Sequence, residues 1–417
     1  MQDHEKQKRA KVVLLAGVFF NLAIGVLYAW SVLKTRMTAS IADGGWGWSS
    51  SEAGLPYTLA IVCFALGLLI GGKIQDKTGP RWLVTAGGAF VGLGLILSGL
   101  VGNSPMGVAI CFGVVTGLGI GLGYGCVSPP ALKWFHPSKK GIVSGLIVGG
   151  FGLAAVYFAP LTTVLLNQFG IEKTLMFLGA GIFIVSTCLA QLINNPPEGY
   201  TPAVPTHLKE TSAKSYASVD FTMKEMLKTK RFYLMFVMFL LSASIGLMMI
   251  GNITKIASVQ LQITDTAVLA MLVMFLAVTN TFGRVLGGLM SDKIGRINAL
   301  FVVSVLQLLN MVGFIYCHNM VILAVGIILI GFCYGTLLSV FPALTIDQYG
   351  IKNYGGNYGV LFLSWGLSGV VAPLMADYIY DTTGKFITAY IICAGMMAVV
   401  LVATYLLKKD IDAHLKA

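Results

Sequence analysis

Apolar residues occur along the chain in long runs, and short polar stretches separate one run from the next. Each run has roughly the 20 residues that an α-helix needs to cross the hydrocarbon core of a bilayer. The pattern therefore predicts an all-α membrane protein with twelve spanning helices. These helices are expected near residues 12–33, 53–72, 82–102, 107–128, 141–162, 174–193, 232–251, 266–290, 298–317, 320–343, 357–376 and 386–407.

The longest polar stretch, residues 194–231, divides the twelve runs into six and six. It begins with Asn194, Asn195, Pro196 and Pro197 and continues with Ser, Thr and Lys, and proline pairs of this kind end a helix. We therefore expect an N-terminal six-helix bundle over 1–193, a cytoplasmic linker over 194–231 and a C-terminal six-helix bundle over 232–417. An even number of crossings places both chain termini on one side of the membrane.

The composition excludes most soluble classes of protein. Hydrophobic residues make up 56% of the 417 and charged residues only 11%, whereas a soluble globular protein carries about 25% charge. The seven cysteines lie mostly in apolar runs without disulfide or metal-ligand spacing, so we expect them to pack as small hydrophobic residues. No catalytic motif appears, and we expect neither an enzyme nor a bound metal or cofactor.

The net charge of +11 is distributed unevenly between the two sides of the predicted bundle. Of the 28 basic residues, 22 fall on the side of the termini and five in loops on the other side. Because cytoplasmic loops are enriched in Lys and Arg, both termini are predicted to lie in the cytoplasm, with the chain in the plasma (inner) membrane. The charge thus indicates a lipid bilayer as partner and not a nucleic acid.

A glycine-rich segment occurs twice, once after the second predicted helix of each half. Gly71–Gly79 and Gly287–Gly295 share Gly, Gly, Asp, Lys and Gly at equivalent positions, 216 residues apart. A second echo pairs Tyr124 with Tyr334, each followed by glycine. Two parallel six-helix halves are a transporter design in which the substrate site lies between them, near the middle of the membrane.

The repeated segment matches the Gly-x-x-x-Asp-(Arg/Lys)-x-Gly signature of the major facilitator superfamily. Its glycines permit a tight turn and a close approach of helices. Its aspartates, Asp76 and Asp292, can cap the next helix or pair with a neighbouring base, and we interpret them as gate residues. This signature predicts the fold and says almost nothing about the substrate.

The basic residue left over from the two-sided count is Arg284, inside the eighth predicted helix. An arginine at the centre of a spanning helix costs roughly 2.5–3.5 kcal/mol on insertion scales, and such residues mark functional sites. All 17 acidic residues are expected in loops or at helix ends, which leaves Arg284 without a counter-ion. A substrate carboxylate would fit its planar guanidinium, with Asn280 one turn earlier as a second contact. The alternative is an arginine satisfied by backbone carbonyls or extended toward the cytoplasm.

Aromatic side chains in four predicted helices are the other candidates for substrate contacts. Tyr124 and Tyr334 stand at matching depths in glycine-rich helices, and Tyr28 lies in the first helix. Their hydroxyls can hydrogen-bond a hydroxy or keto acid, while Phe362 and Trp365 offer an apolar wall for a short carbon chain. Ordinary packing is the alternative role for each of them.

Several of these segments together resemble the monocarboxylate transporters and their bacterial relatives, the oxalate/formate antiporters. The segments are Tyr-Ala-Trp-Ser in the first helix, Trp134-Phe135 with Lys140-Gly141 and Ser144-Gly145 before the fifth, Asn-Pro-Pro-Glu-Gly-Tyr after the sixth, and the eighth helix with Arg284. The resemblance implies a major facilitator fold that moves lactate- or pyruvate-type anions with a proton by alternating access.

Three positions depart from these families. Animal monocarboxylate transporters carry an aspartate where this chain has Asn280 and a lysine where it has Val32, which puts proton carriage by that pair in doubt. The oxalate antiporter carries a lysine where this chain has Trp365. Because a dianion needs about two positive partners, the lone Arg284 favours a monoanion such as L-lactate or pyruvate, moved with a proton. A formate- or oxalate-type exchanger is the alternative, and we expect the protein to function as a monomer.

Overall fold

The computed structural model describes residues 3–135, 140–197, 200, 220–350 and 353–416, and every regular element in these ranges is helical. The membrane-crossing elements are α1 (Asp3–Ile24, Val26–Ala29 and Trp30–Thr38), α2 (Ser50–Thr78), α3 (Pro80–Val101), α4 (Pro105–Val108, Ala109–Thr116 and Gly117–Trp134), α5 (Lys140–Leu153 and 155–169), α6 (171–190), α7 (Lys230–Gln260), α8 (Thr266–Ile294), α9 (Arg296–Ile315), α10 (Met320–Tyr349), α11 (Tyr354–Thr383) and α12 (Ile387–Lys416).

The predicted number of crossings is confirmed within these ranges. Eleven stretches are long and apolar enough to span a bilayer, and one of them, Gly145–Ala190, has 46 residues. That stretch is interrupted at Gly170, whose φ of 74° lies in a region that only glycine adopts without strain. It therefore makes two crossings, α5 and α6. Large apolar side chains such as Trp82, Ile184 and Val321 are exposed on the outside of the bundle, as expected of a lipid-facing surface.

The pattern of helix packing repeats between the two halves. Within the first half α2 packs on α4 and α3 on α6; within the second half α8 packs on α10 and α9 on α12. Between the halves, α2 packs on α11 and α5 on α8. Adding six to each helix number converts every contact into another member of the set, so the two halves are related by pseudo-symmetry.

Both chain termini lie at the same end of the bundle, which we name the terminal end; the opposite end is the distal end. At the terminal end the Arg9 Nε donates to Asn194 Oδ1, just after α6 (3.4 Å), and Arg231 pairs with Asp410 near the end of α12 (2.7 Å). The repeated glycine-rich segments also turn there. The last glycine of each repeat has a positive φ, 76° at Gly79 and 88° at Gly295, which explains why both copies keep glycine.

Helix α1 is broken where it crosses α5 near the middle of the bundle. The α-helix at the start of α1 ends at Ile24 and is followed by a 3₁₀ turn, Val26–Ala29. In α5 the irregularity is confined to Ala154, whose φ of −55° and ψ of −36° stay helical. A Cβ atom added to Gly25 would lie only 2.3 Å from the Cβ of Ala154, so the break in α1 meets α5 at a contact that requires glycine.

Several helices are longer than their apolar runs predict, and this corrects two expectations. α1 continues to Thr38, α7 to Gln260 and α11 to Thr383. Asp377, expected at a helix end, therefore lies inside α11 and is buried. Arg284 is likewise not the one basic residue inside a helix, because Lys34 and Lys255 are also helical and buried. The helix ends predicted from hydropathy come too early, because a buried charged residue interrupts an apolar run in the same way as the start of a loop.

The predicted division of the chain at the 194–231 linker stays a prediction. Residues 198, 199 and 201–219 of the linker lie outside the described part of the chain. Near the end of the linker the chain forms one helical turn, Met223–Met226, with Thr222 and Glu225 forming a capping box at its start.

Close packing of α8 against α10 predicts that Gly335 cannot accept a methyl group. A Cβ atom at this position would lie 2.1 Å from the Asn280 carbonyl oxygen and 2.8 Å from the Arg284 nitrogen, both backbone atoms. We expect Gly335→Ala to cost about 1–3 kcal/mol through overpacking and to lower the melting temperature of the detergent-purified protein. Gly181→Ala is the matched control, because nothing lies within 4 Å of a Cβ there; equal melting temperatures for the two variants would contradict this packing.

Candidate central substrate site

The guanidinium of Arg284 lies between the two halves, and the residue is only 8% exposed. Its Nη1 donates to the Val148 carbonyl oxygen of α5 (2.8 Å) and its Nη2 to the Tyr28 hydroxyl of α1 (3.1 Å). Its Nε faces Asn280 Oδ1 at 3.5 Å. The contact with the Val148 carbonyl oxygen fits the alternative of an arginine satisfied by the backbone. The other two partners, Tyr28 and Asn280, are predicted site residues. Arg284 thus contacts both halves.

Helices α1 and α5 supply the groups from the first half. Tyr28 belongs to the 3₁₀ turn of α1, and Val148 lies in the first segment of α5. Discontinuous helices at mid-membrane commonly form the binding sites of transporters, because they direct polar groups into the centre of the bundle, and α1 is such a helix. The contact between Gly25 and Ala154 brings the break in α1 and the middle of α5 together beside Arg284.

Asn280 holds Tyr28 and Arg284 in a fixed relation. It is 1% exposed, and its Nδ2 donates to the Tyr28 hydroxyl at 3.0 Å while its Oδ1 faces the guanidinium. One turn of α8 separates Asn280 from Arg284, so both side chains project from the same face of that helix. The amide acts here as an orienting group.

The charge of Arg284 is met by neutral groups alone within the described part of the chain. The ion pairs that these residues form are Lys34–Asp377, Arg231–Asp410, Arg296–Asp292 and Arg296–Asp347, and Arg284 is in none of them. A buried charge without an opposite charge is costly to keep. The described residues therefore leave one buried positive charge at this place without an opposite charge.

The aromatic residues predicted for the site are linked to one another by ring contacts and hydrogen bonds. Tyr124 and Tyr28 both pack edge-on against Phe151, and Tyr334 accepts a hydrogen bond from Trp365 Nε1 at 2.9 Å. Phe362 stacks on Trp365 with ring centroids 4.8 Å apart. The structure thus gathers Tyr28, Asn280, Arg284, Tyr124, Tyr334 and Phe362 into one region, as the sequence predicts.

Three residues of this region are not predicted from the sequence. Phe64 of α2 packs edge-on against Trp365 (5.0 Å) and against Tyr124 (5.2 Å). Phe151 contacts the rings of Tyr28 and Tyr124 at 5.6 and 5.2 Å. Val148 contributes only its carbonyl oxygen. Two phenylalanines and a valine in apolar runs carry no pattern that separates them from lipid-facing neighbours. No group of three or more potential metal ligands occurs among the residues described.

A sequence profile of the Major Facilitator Superfamily matches residues 12–322 and 302–416, which together cover most of the chain. The chain belongs to the Major Facilitator Superfamily. It is therefore a transporter and not an enzyme, and a multi-pass membrane protein, as the sequence predicts.

Members of this superfamily with similar sequences confirm the resemblance drawn from the motifs. The chain is 27% identical over 371 residues to the uncharacterized MFS-type transporter YhjX of Escherichia coli (strain K12), covering 89% of this chain and 88% of that protein. It is 26% identical over 390 residues to the oxalate:formate antiporter of Oxalobacter formigenes (92% and 87%). It is 23% identical over 388 residues to monocarboxylate transporter 12 of Homo sapiens (87% and 72%).

A solved structure of similar overall architecture supports the fold. The chain superposes with a TM-score of 0.71 on a bacterial homologue of the human lysosomal transporter Spinster, in an inward-facing and occupied conformation. The superposition covers 95% of this chain and 96% of the other, with 13% sequence identity. At this identity the likeness concerns the fold and not the cargo.

An ion pair that the sequence does not predict joins the two halves of this major facilitator fold near the distal end. The Lys34 ammonium of α1 pairs with the Asp377 carboxylate of α11, and both side chains are at most 2% exposed. Lys34 also donates to Asn252 Oδ1 of α7 at 2.7 Å. The second Asp377 oxygen, Oδ2, is buried without a hydrogen bond and lies against Gly54 of α2. We call Lys34 and Asp377 the distal ion pair.

A second group of polar contacts joins the two halves at the distal end, next to the distal ion pair. The Asp381 carboxylate of α11 accepts hydrogen bonds from the backbone nitrogens of Ser50 and Ser51, both at 2.8 Å. These are the first residues of α2, where free N–H groups attract an anion. Lys255 of α7 donates to the Ser50 hydroxyl and sits 4.3 Å from the centroid of the Tyr380 ring. Each contact with Ser50 or Ser51 joins one half to the other.

The two predicted gate residues lie at the terminal end. Asp292 pairs with Arg296 at 2.5 Å, and Arg296 also reaches Asp347 of α10 at 3.4 Å. Pairing with a neighbouring base is one role expected for the aspartate of the repeated segment, and Asp292 has such a partner in Arg296. This pairing lies within the second half. The side chain of Asp76 falls outside the described residues, so a gating role for both aspartates stays a prediction.

The burial of the distal ion pair predicts strong energetic coupling between its members. Removing one partner of a buried pair leaves an unpaired charge and costs about 3–5 kcal/mol. We therefore expect Lys34→Met and Asp377→Asn each to lower thermal stability markedly, and the double variant to regain most of the loss. The half-buried pair Arg231–Asp410, whose side chains are 19% and 23% exposed, is the matched control, and its coupling should be clearly smaller because water screens it more.

The measurement is a double-mutant cycle on melting curves of the purified protein for both pairs. Additive effects of Lys34→Met and Asp377→Asn, with no recovery in the double variant, would show that the two groups do not stabilise each other.

Proposed function

We propose that this protein moves a small monocarboxylate, L-lactate or pyruvate, across the membrane together with a proton by alternating access. The observation that carries the proposal is the burial of Arg284 between the halves with neutral partners only. A guanidinium presents a planar pair of donors that fits one carboxylate. The names of the similar proteins, an oxalate:formate antiporter and a monocarboxylate transporter, agree with a small organic acid as cargo.

The position of the site supports alternating access. Arg284 and Asn280 belong to the second half, whereas Tyr28 and Val148 belong to the first. Separation of the halves at either end would expose the same guanidinium to that side of the membrane. The distribution of basic residues suggests that the terminal end faces the cytoplasm, so the closed distal end would face outward.

The size of the buried charge supports a monoanion. One guanidinium balances one negative charge, and a second carboxylate beside it would remain unpaired at a cost of several kcal/mol. Lys34 cannot serve as that second partner in this state because it is bound to Asp377. The contacting rings of Phe64, Phe362 and Trp365, in the same region between the halves, suit a short carbon chain and offer no charge.

The proton is proposed to move with the substrate carboxylate. Neither Asn280 nor Val32, which stand where animal monocarboxylate transporters have an aspartate and a lysine, titrates. Protonation of a bound carboxylate would remove its charge, weaken its contact with Arg284 and favour release. This step needs no side-chain proton carrier at the central site.

Arg284→Ala is expected to abolish uptake of radiolabelled L-lactate and pyruvate into proteoliposomes, because the anion loses its one opposite charge. Arg284→Lys keeps the charge but loses the planar pair of donors, and we expect uptake to fall about tenfold or more. Arg231→Ala, at the terminal end and outside the site, should transport like the wild type. Normal uptake by Arg284→Ala would rule out this site.

An inward-directed proton gradient is expected to accelerate uptake of the monocarboxylate and to drive its accumulation. The measurement is uptake into proteoliposomes with and without an imposed pH difference, followed by counterflow with oxalate and formate as internal anions. Uptake that ignores the pH gradient, together with strong oxalate counterflow, would instead indicate the anion exchanger.

A further inference from the structure

A small buried cavity lies inside the second half, between α7, α9, α10 and α12. The space open to the centre of a water molecule measures about 10 Å³, the size at which a cavity admits a single water molecule. The residues that line it are buried and uncharged, and they include Ser242, Gly246, Ser304, Gln307, Tyr334 and Met397. Each of these residues stands near the middle of its helix, so the cavity lies near the middle of the membrane.

Gln307 of α9 contributes an amide group to the lining of this cavity. The residue is only 5% exposed. No group in the described part of the chain donates a hydrogen bond to its Oε1, which is buried. A carbonyl oxygen kept from water without a donor costs free energy, and nearly all such groups in folded proteins are paired with protein atoms or with ordered water. The Gln307 oxygen therefore needs a donor from a bound molecule.

Two serine hydroxyls line the same cavity. Ser304 Oγ donates its hydrogen to the Leu300 carbonyl oxygen of α9 at 2.7 Å, so its oxygen is left to accept. The Ser242 hydroxyl of α7 can both donate and accept. A buried water molecule typically makes about three hydrogen bonds. Gln307 and Ser304 can accept the two hydrogens of one water molecule, and Ser242 can donate to its oxygen.

Other occupants fit this cavity less well. The carboxylic acids proposed as cargo are larger than a single water molecule. An ion would find no opposite charge in the uncharged lining, and a buried charge without a partner is costly. Cavities that stay dry are lined by apolar groups, whereas this one has an amide and two hydroxyls. The ligand that fits is a neutral molecule of the size of water that both donates and accepts.

We propose that this cavity is a binding site for one water molecule, which joins α7 and α9 beside Tyr334. The water donates to Gln307 Oε1 and Ser304 Oγ and accepts from the Ser242 hydroxyl. Tyr334 is part of the same packing, because a Cβ atom at Gly246 would lie 2.2 Å from its ring. The bound water thus satisfies a polar group at mid-membrane depth and links a helix with a lipid-exposed side, α9, to helices that pack toward the centre.

The direction of a stability change tests the site. Gln307→Met keeps the length of the side chain and removes the amide. With a bound water, the variant loses one partner of that water and leaves the serine hydroxyls less well satisfied, so we expect a lower melting temperature of the detergent-purified protein. If Oε1 were unpaired, the same change would remove a buried unsatisfied group and raise the melting temperature.

Gln168→Met is the matched control, because Gln168 is exposed near the end of α5; its melting temperature should equal that of the wild type. A melting temperature of Gln307→Met equal to or above that of the wild type would contradict the bound water.

Met397 gives a direct readout of the water. It lines the cavity although it is 0% exposed. A short X-ray pulse converts a bound water into a hydroxyl radical, which oxidises a neighbouring methionine to its sulfoxide. We expect Met397 to be oxidised several-fold faster than Met249, which is also 0% exposed but is not among the lining residues. Mass spectrometry of peptides from the irradiated protein measures both rates.

Gln307→Leu, which removes the amide without adding a sulfur, should lower the oxidation rate of Met397 to that of Met249. Equal rates at Met397 and Met249 in the wild type, or a rate at Met397 that Gln307→Leu leaves unchanged, would show that no water is held by Gln307. Neither readout involves transport, so failure of this inference leaves the proposed monocarboxylate transporter untouched, and failure of the uptake experiments leaves the water site untouched.

Discussion

The buried charge of Arg284 is the constraint around which the centre of this transporter is arranged. A guanidinium removed from water must be satisfied by hydrogen bonds, or it destabilises the fold by several kcal/mol. Intact helices offer few free acceptors in the membrane, and here the acceptors come from Tyr28 in a 3₁₀ turn, the Val148 carbonyl oxygen of α5 and Asn280 on the same helix. The contact between Gly25 and Ala154 lets α1 and α5 approach closely enough to provide two of them.

The distal ion pair is also buried charge, but here each charge has a partner of opposite sign. Lys34 and Asp377 are as buried as Arg284, but each supplies the charge that the other needs. A balanced pair favours the contact between α1 and α11, whereas an unbalanced charge favours the arrival of an anion. The fold thus contains one buried site whose charge is complete and another whose charge is incomplete, and the difference separates a contact that holds helices together from one suited to a ligand.

The sequence predicted the twelve crossings, the repeated halves and six of the residues around Arg284, because each depends on a signal that is local in the chain. Apolar length reports a crossing, a repeated glycine segment reports a repeated turn, and an arginine without a nearby acid reports an uncompensated charge. The sequence does not predict the distal ion pair, because its partners are 343 positions apart. In addition, a charged residue at the edge of an apolar run resembles the end of a helix. Phe64 and Phe151 were missed because their role depends on which way α2 and α5 face, and that is decided by packing between helices.

Helix α1 contributes a residue both to the central site and to the distal ion pair. Tyr28, which bonds the guanidinium, and Lys34, which bonds Asp377, lie six residues apart on α1, on either side of Trp30. Trp30 itself is anchored by its bond to the Ala53 carbonyl oxygen and by stacking on Phe112 of α4, with ring centroids 4.3 Å apart. The segment between the two contacts is therefore held against the first half. Any separation of the halves at the distal end must break the bond from Lys34 to Asp377 while this segment keeps its place. The next contact between the halves along the same helix is the bond from Tyr28 to Arg284. One short segment of α1 thus makes two of the contacts that join the halves, one to Asp377 and one to Arg284.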